Sequence, residues 1–397
     1  MNKLRYAHIP IFLLISLSAR AATLAWDIPK NERLEMVRTA RAQFLVNDRT
    51  RKSYEERNII DLTCYDKKDG LNGVRGTFSV YERDSGSDVF NLREQYRSIF
   101  TIDRRGRFTV PREYFMPNLR HLPTFPDSDI EAGYAWSADA DLLLNSFSVP
   151  FKITFPVAYK LVQIRKKDGG DIAVISYNFF INMTLPEGKY PPDLPLKIEG
   201  AEEGTIYWNT RLNRPDGMDE KYRIVFYFPA GPREVGSNEF RMRIETTVKS
   251  YPPVTADEKE RAKRDLRKDI PADSGIDVDA DKRGLVLRLG DLLFDFDSAK
   301  LRDDSREKLD TIIGVLRKKY ADREIIVEGH TDSTGTPDYN RRLSNDRAES
   351  VAKYLKNRAG TDKLSYRGLG AERPLEDNAT KEGRRKNRRV EIIIKLH

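Results

Sequence analysis

Between Thr255 and Asp273 the hydrophobic pattern of this chain breaks off, and the break marks its clearest domain boundary. The run Ala256-Asp257-Glu258-Lys259-Glu260-Arg261-Ala262-Lys263-Arg264 is charged or helix-forming throughout, with almost no apolar stripe. Such a segment reads as a solvated helix or a linker, closed by Pro271. It divides 397 residues, enough for two or three domains, into parts with different periodicity. The layout expected is residues 22–254, a charged helical linker over 255–274, and a second domain over 275–397.

Upstream of the break, short runs rich in Val, Ile, Tyr and Phe recur between turn residues. They include Gly76 to Tyr81, Phe151 to Phe155, Ile172 to Tyr177, Thr205 to Trp208 and Tyr222 to Phe228. Glu239 to Val248 alternates apolar and polar residues with period two. This pattern predicts a β-rich, sandwich-like region of one or two domains. A transmembrane barrel would need an outward apolar band along its strands. Charges such as Lys160, Arg165, Lys166, Arg241 and Arg243 crowd these strands and disfavour it. No catalytic signature is legible in this half, and its role is not readable from the sequence.

At the start of the chain, Lys3, Arg5 and His8 precede a mostly apolar run from Ile9 to Leu17, and Ala19-Arg20-Ala21 follows. A basic start, a short apolar run and a small-residue exit describe a secretory signal peptide over residues 1–21. The run is about half the ~20 residues a spanning helix needs. No cysteine closely follows it to carry a lipid. The mature chain is expected to begin near Ala22, in the periplasm. A single cysteine, Cys64, allows no intrachain disulfide and reads as a buried structural thiol. The histidines are His8, His121, His330 and His397, too scattered for a metal site, so neither metal nor cofactor is expected. Seventy basic and 62 acidic residues are interspersed, for a net charge of +8. That mixing excludes a nucleic-acid groove, while a basic protein would be drawn to an anionic envelope.

Downstream of the break, strands alternate with helices, as in an α/β domain whose helices pack on a mixed sheet. Strands are expected at Leu285 to Leu289, Ile325 to Val327, Leu364 to Arg367 and Val390 to Leu396. Helices are expected at about Leu301 to Tyr320, capped by Asp297 or Ser298, and at about Asp338 to Arg358. On the second helix Leu343, Val351, Tyr354 and Leu355 share one face, and Arg347 falls among them. A guanidinium so placed either joins an internal salt bridge or emerges at a pocket edge to meet an anionic ligand. Asp332 lies in the polar loop Gly329-His330-Thr331-Asp332-Ser333-Thr334-Gly335-Thr336-Pro337, between a buried strand and that helix. It either caps the loop or receives an ammonium. In the second reading of each, Asp332 and Arg347 form a clamp for a zwitterion.

Residues 329 to 355, from Gly329-His330-Thr331-Asp332 through Leu343-Ser344-Asn345-Asp346-Arg347-Ala348 to Leu355, resemble the signature of the OmpA-like C-terminal domain family. Phe294-Asp295-Phe296-Asp297-Ser298-Ala299 upstream and Asn387-Arg388-Arg389-Val390-Glu391 downstream extend the resemblance over about residues 275 to 397. It implies non-covalent, non-enzymatic binding of peptidoglycan through the diaminopimelate of the stem peptide. The family's Thr-Asp loop then falls on Thr331 and Asp332, and the Arg of its helix on Arg347. Asn340 and Arg389 match positions lining the same pocket. Relatives place a membrane barrel, a lipidated cysteine or a membrane helix before this domain, and none is clear here. The N-terminal region would then contact an outer-membrane or envelope protein. The alternatives are a peptidoglycan-processing enzyme with its centre in residues 24–254, or a flagellar-stator-like protein. Other features are read structurally: Asp295, Asp297 and Asp303 as turn and cap residues, His330 as a loop hydrogen-bonder. The Arg384, Arg385, Lys386, Arg388, Arg389 cluster reads as a solvated loop or a contact with an anionic polymer.

Overall fold

Alternation along the strands sets the N-terminal architecture. In β8 the residues Ile153, Phe155, Val157, Tyr159 and Leu161 are buried, while Lys152, Thr154, Pro156, Ala158 and Lys160 between them are exposed. A period of two puts those sets on opposite faces, so one face carries the core and the other meets solvent. The computed structural model describes residues 21–396 apart from 186, 187, 189, 232, 233, 291, 292, 296 and 362. Residues 1–20 of the expected signal peptide, Phe296 of the upstream motif and His397 thus lie outside the described residues.

The strands are β1 (Arg33–Val46), β2 (Arg49–Lys68), β3 (Leu71–Asp84), β4 (Phe90–Asp103) and the short β5 (Phe108–Thr109) and β6 (Leu119–Arg120). They continue as β7 (Ala135–Leu144), β8 (Phe151–Arg165), β9 (Ile172–Thr184), β10 (Lys197–Asn209), β11 (Arg214–Gly231) and β12 (Glu234–Tyr251). Neighbours pair antiparallel, except that β5 does not pair with β6. β12 returns to lie beside β1, from Arg33↔Tyr251 to Val46↔Asn238. The ladder is therefore unbroken from β5 through β1 and β12 to β6, and both halves share one core. At its heart Trp208 meets Trp26 and Phe125 edge to face, with ring centroids 4.9 and 4.6 Å apart. Cys64 is fully buried there, and burial pushes its thiol pKa up, as an inert structural thiol requires.

The break in pattern is α1 (Ala256–Asp269), a helix rather than a free linker. Thr255 and Glu258 form a reciprocal capping box, with Glu258 N donating to Thr255 Oγ1 at 3.2 Å and Thr255 N donating to Glu258 Oε2 at 2.8 Å. Leu266, with Ile270 just beyond the helix end, inserts into the C-terminal core and docks it there. That core belongs to β13 (Ile276–Asp281), β14 (Gly284–Leu289), α2 (Asp303–Lys319), β15 (Ile325–His330), α3 (Pro337–Ala359), β16 (Leu364–Gly368), α4 (Lys381–Asn387) and β17 (Arg389–Ile394). The sheet order is β13-β14-β17-β15-β16, antiparallel but for the parallel β15–β16 pair. This is the mixed α/β sheet expected, with Leu287, Val327 and Ile392 packed beneath Leu309, Ile312, Val351 and Leu355 of α2 and α3. The expected cap at Asp297 or Ser298 is not used. Leu301 bridges back to Phe294, so α2 starts later, at Asp303, and Asp297 takes a left-handed turn with φ 57°.

The two sheets touch at their edges. β16 pairs in parallel with the start of β4, Ser365 opposite Phe90 and Tyr366 opposite Asn91, and Arg367 donates to Gln95 Oε1 at 3.4 Å. Among the described residues no helix is long and apolar enough to cross a membrane.

Candidate functional site

The loop after β15 is fixed by how closely α3 lies on the sheet. A Cβ at Gly329 would fall 2.0 Å from the Ser344 carbonyl oxygen, and one at Gly368 would fall 2.3 Å from the Asn345 nitrogen. Only glycine lets helix and strand backbones meet this way. The contact sets the amino end of α3 over the end of β15, with the loop of Thr331 to Thr336 between them. Thr336 caps the helix, accepting from Tyr339 N at 3.3 Å, and Pro337 takes the first helical position.

Asp332 is buried, and each of its carboxylate oxygens has its own partner. Oδ1 accepts from Thr334 N at 2.8 Å, closing the loop, and Oδ2 accepts from Arg388 Nη1 at 2.7 Å. Burial works against its charge, but Arg388 and the Thr334 N–H outweigh it and hold the carboxyl below the usual carboxylate range. The backbone carbonyl of Asp332 accepts from Asn340 Nδ2 at 3.3 Å, tying the loop to α3. Thr331 is held by its own N–H, which donates to Gly370 O at 2.9 Å, and its buried hydroxyl has no hydrogen-bond partner. Arg347 is buried on the same face of α3 as Asn340, about two turns or ~10 Å further along. Its Nε donates to Ser298 O at 2.9 Å, and its guanidinium lies over the Phe294 ring, 5.2 Å from the centroid. The structure thus groups Thr331, Asp332, Asn340 and Arg347 around the amino-terminal half of α3, flanked by Phe294 and Ser298.

Arg389 is not brought to this group. Its Nε donates to Glu391 at 2.8 Å and its Nη atoms donate to the carbonyls of Asn387 and Arg373, both at 3.2 Å. Val390, Ile392 and Ile394 pack beneath the helices, so strand alternation turns Arg389 away and Arg388 toward them. Arg388 is the residue the strand brings to Asp332, and the apolar set of the last strand carried that signal. Sequence reasoning also missed Asn387, which is fully buried. Its Oδ1 accepts from Leu375 N and Glu376 N, at 2.7 and 3.0 Å. Its Nδ2 donates to Glu376 O and to Asn378 Oδ1, at 2.8 and 2.9 Å. Asn378 Oδ1 in turn accepts from Ser333 N at 3.1 Å, so Asn387 braces the Asp332 loop through one intermediary.

On the sheet face away from the helices lies a buried ion network. Glu328 and Glu391, each fully buried, sit opposite one another on β15 and β17. Glu391 takes Arg283 at 2.7 Å, Arg389 at 2.8 Å and Arg288 at 3.2 Å. Glu328 takes Arg367 at 2.8 Å, Arg373 at 3.6 Å and also Arg283. His330 completes a triad whose ligand atoms lie within 4.8 Å of one another. With five guanidiniums already on the two carboxylates, the arrangement suits an ion network and opposes a cation. His330 does not make the expected loop hydrogen bond: both ring nitrogens are buried without a partner. Burial, with Arg389 nearby, pushes its pKa down to about 3 and keeps the ring neutral.

Residues 293–388 match the OmpA family. Outer membrane porin F of Pseudomonas aeruginosa is 43% identical over 106 residues, which are 26% of this chain and 30% of that protein. The outer-membrane lipoprotein YfiB of the same organism is 42% identical over 105 residues, 26% of this chain and 61% of that protein. The peptidoglycan-binding protein ArfA of Mycobacterium tuberculosis is 41% identical over 106 residues, 26% of this chain and 32% of that protein. This chain therefore spans less than two thirds of each of these relatives. Among solved structures, the cell wall anchor of the type VI secretion system (T6SS) of Pseudomonas aeruginosa aligns at 33% identity. That alignment covers 35% of this chain and all of that one, with a TM-score of 0.30.

Proposed function

With residues 293–388 an OmpA-family domain, we propose that this protein binds peptidoglycan non-covalently, as a non-enzymatic tether of the cell envelope. ArfA, similar over this segment, is described as peptidoglycan-binding, which supports the reading. The observation that carries it is Asp332, kept ionised by Arg388 and Thr334 in a loop tied to the α3 face that also holds Arg347. The side-chain end of diaminopimelate carries an ammonium and a carboxylate. The ammonium meets the Asp332 carboxylate, competing there with Arg388. The carboxylate meets the Arg347 guanidinium, whose planar fork can take both oxygens. Thr331 and Asn340 orient the loop and supply polar lining. Secretion to the periplasm by the 1–21 signal peptide, and an outer-membrane or envelope partner for residues 22–254, complete the proposal.

Sedimentation with purified sacculi tests it. The full chain is expected in the pellet, and Asp332→Ala and Arg347→Ala are each expected to weaken binding at least about tenfold, the loss of one charged contact. Circular dichroism should show both variants folded. Undiminished pelleting of both would rule out the clamp.

A further inference from the structure

The N-terminal sheet holds a cavity of about 1700 Å³, opening between β9–β12 and the neighbouring parts of β1, β2 and the β3–β4 turn. Tyr54, Tyr177, Glu202, Glu220, Tyr222 and Met242 are among the residues lining it. Three of its polar residues, Tyr177, Glu202 and Glu220, are bonded to one another and to Arg38 and Thr246, which stand outside the lining. The Tyr177 hydroxyl bridges Glu202 and Glu220, standing 3.1 Å from the latter's Oε1. Arg38 Nη2 donates to both oxygens of Glu220, at 3.2 and 3.1 Å, and Thr246 Oγ1 donates to Glu220 Oε2 at 3.2 Å. Glu202 and Glu220 are each only 4% exposed, a costly placement for two neighbouring carboxyls.

We propose that this cavity is a binding site for a neutral oligosaccharide. Three features lead there, none depending on the peptidoglycan reading. The bonded set offers donors and acceptors at hydrogen-bond spacing, which suits the adjacent hydroxyls of a sugar ring. Tyr54, Tyr222 and Met242 supply flat or adaptable apolar surface for the ring faces. Charge selects nothing: apart from the Glu202–Glu220 pair, the described basic and acidic lining residues number six each. Burial and the Glu220 charge push the Glu202 pKa up, which disfavours a second negative charge there, and Arg38 offsets Glu220. A hydrocarbon chain fits the volume but would leave these polar groups facing apolar atoms, which is costly.

The test is calorimetric titration of the full chain with chitotetraose, maltotetraose and laurate. Saturable binding of at least one tetrasaccharide is expected, with Glu202→Gln and Tyr222→Ala each weakening it roughly tenfold, the effect of one unmatched polar or apolar contact. Because Tyr222 also touches the core, Tyr54→Ala serves as the aromatic variant if Tyr222→Ala lowers the thermal midpoint. Failure of both tetrasaccharides to bind, saturable binding of laurate alone, or tetrasaccharide binding unchanged in the folded variants each overturns the proposal. Sacculus sedimentation by the same variants should stay at the native level, which separates this outcome from that of the Asp332 clamp.

Discussion

Replacing Glu391 by alanine is expected to destabilise the C-terminal domain by about 3–5 kcal/mol, the usual effect of removing one partner from a buried ion network. Glu391 is fully buried and takes Arg283, Arg288 and Arg389, of which Arg389 is itself almost wholly enclosed. Without the carboxylate, these guanidiniums repel one another in a place water barely reaches. Glu391→Gln keeps the shape and some hydrogen bonding, so it should cost less. The acid dependence carries a further signature. Burial opposes the Glu391 charge, but Arg389 and its neighbours overcome this and lower the pKa to about 2, against about 4.3 in an unfolded chain. A depressed carboxyl contributes stability that is fully present above pH ~4.3 and is lost as pH falls toward the folded value. Native-state hydrogen exchange of the β15 and β17 amides between pH 2 and 7 reads this locally. It is needed because all three tryptophans, Trp26, Trp136 and Trp208, lie in the other domain. An equally steep acid limb in wild type and Glu391→Ala would show that the carboxylate is not the group responsible.

Gly329→Ala is expected to cost about 3 kcal/mol or more, at the upper end of overpacking effects. The new methyl would stand 2.0 Å from the Ser344 carbonyl oxygen, a backbone atom in the middle of α3. No rotamer change relieves such a contact; the helix itself must lift off the sheet. Because Asn340 and Arg347 ride on that helix while Asp332 is anchored to the strand and to Arg388, sacculus binding should fall even in molecules that remain folded. Gly314→Ala is the control. Nothing lies within 4 Å of a Cβ there, in an exposed position of α2, so a gain of about 0.5–1 kcal/mol is expected. Equal melting midpoints for the two alanine variants would dismiss the close-approach account.

The helices and core strands of the C-terminal domain were legible because each presents a continuous apolar face. The expected strand at Ile325 to Val327 is the start of β15, and the expected helix near Asp338 to Arg358 is α3 within a residue. Elements without such a face were not read. β13 hides Ile276 and Val278 between Asp277, Asp279 and Asp281, and α4 is a run of charged and polar residues. Pairing across strands was equally invisible: Glu328 and Glu391 are 63 positions apart in sequence and become neighbours only through the β15–β17 register. Of the two roles weighed for Asp332, the loop-closing one is the one its hydrogen bonds display. One oxygen closes the loop, and the other is taken by the protein's own Arg388. Arg389 matches the family by motif position, whereas strand parity sets Arg388 beside Asp332. In the N-terminal region the apolar runs located strands but understated them, since β2 reaches 20 residues by continuing through charged outward positions.

The edge pairing of β16 with β4 turns two domains into a lever. A chain joined only at residues 252–255 could swivel there. The backbone bonds from Ser365 and Tyr366 to the start of β4, with Arg367 on Gln95, add a second point of attachment and stop the swivel. Under the two proposals, a ligand at Asp332 would stand at a set angle and distance from one in the N-terminal cavity. A pull on one such ligand would then reach the other through two attachments rather than one.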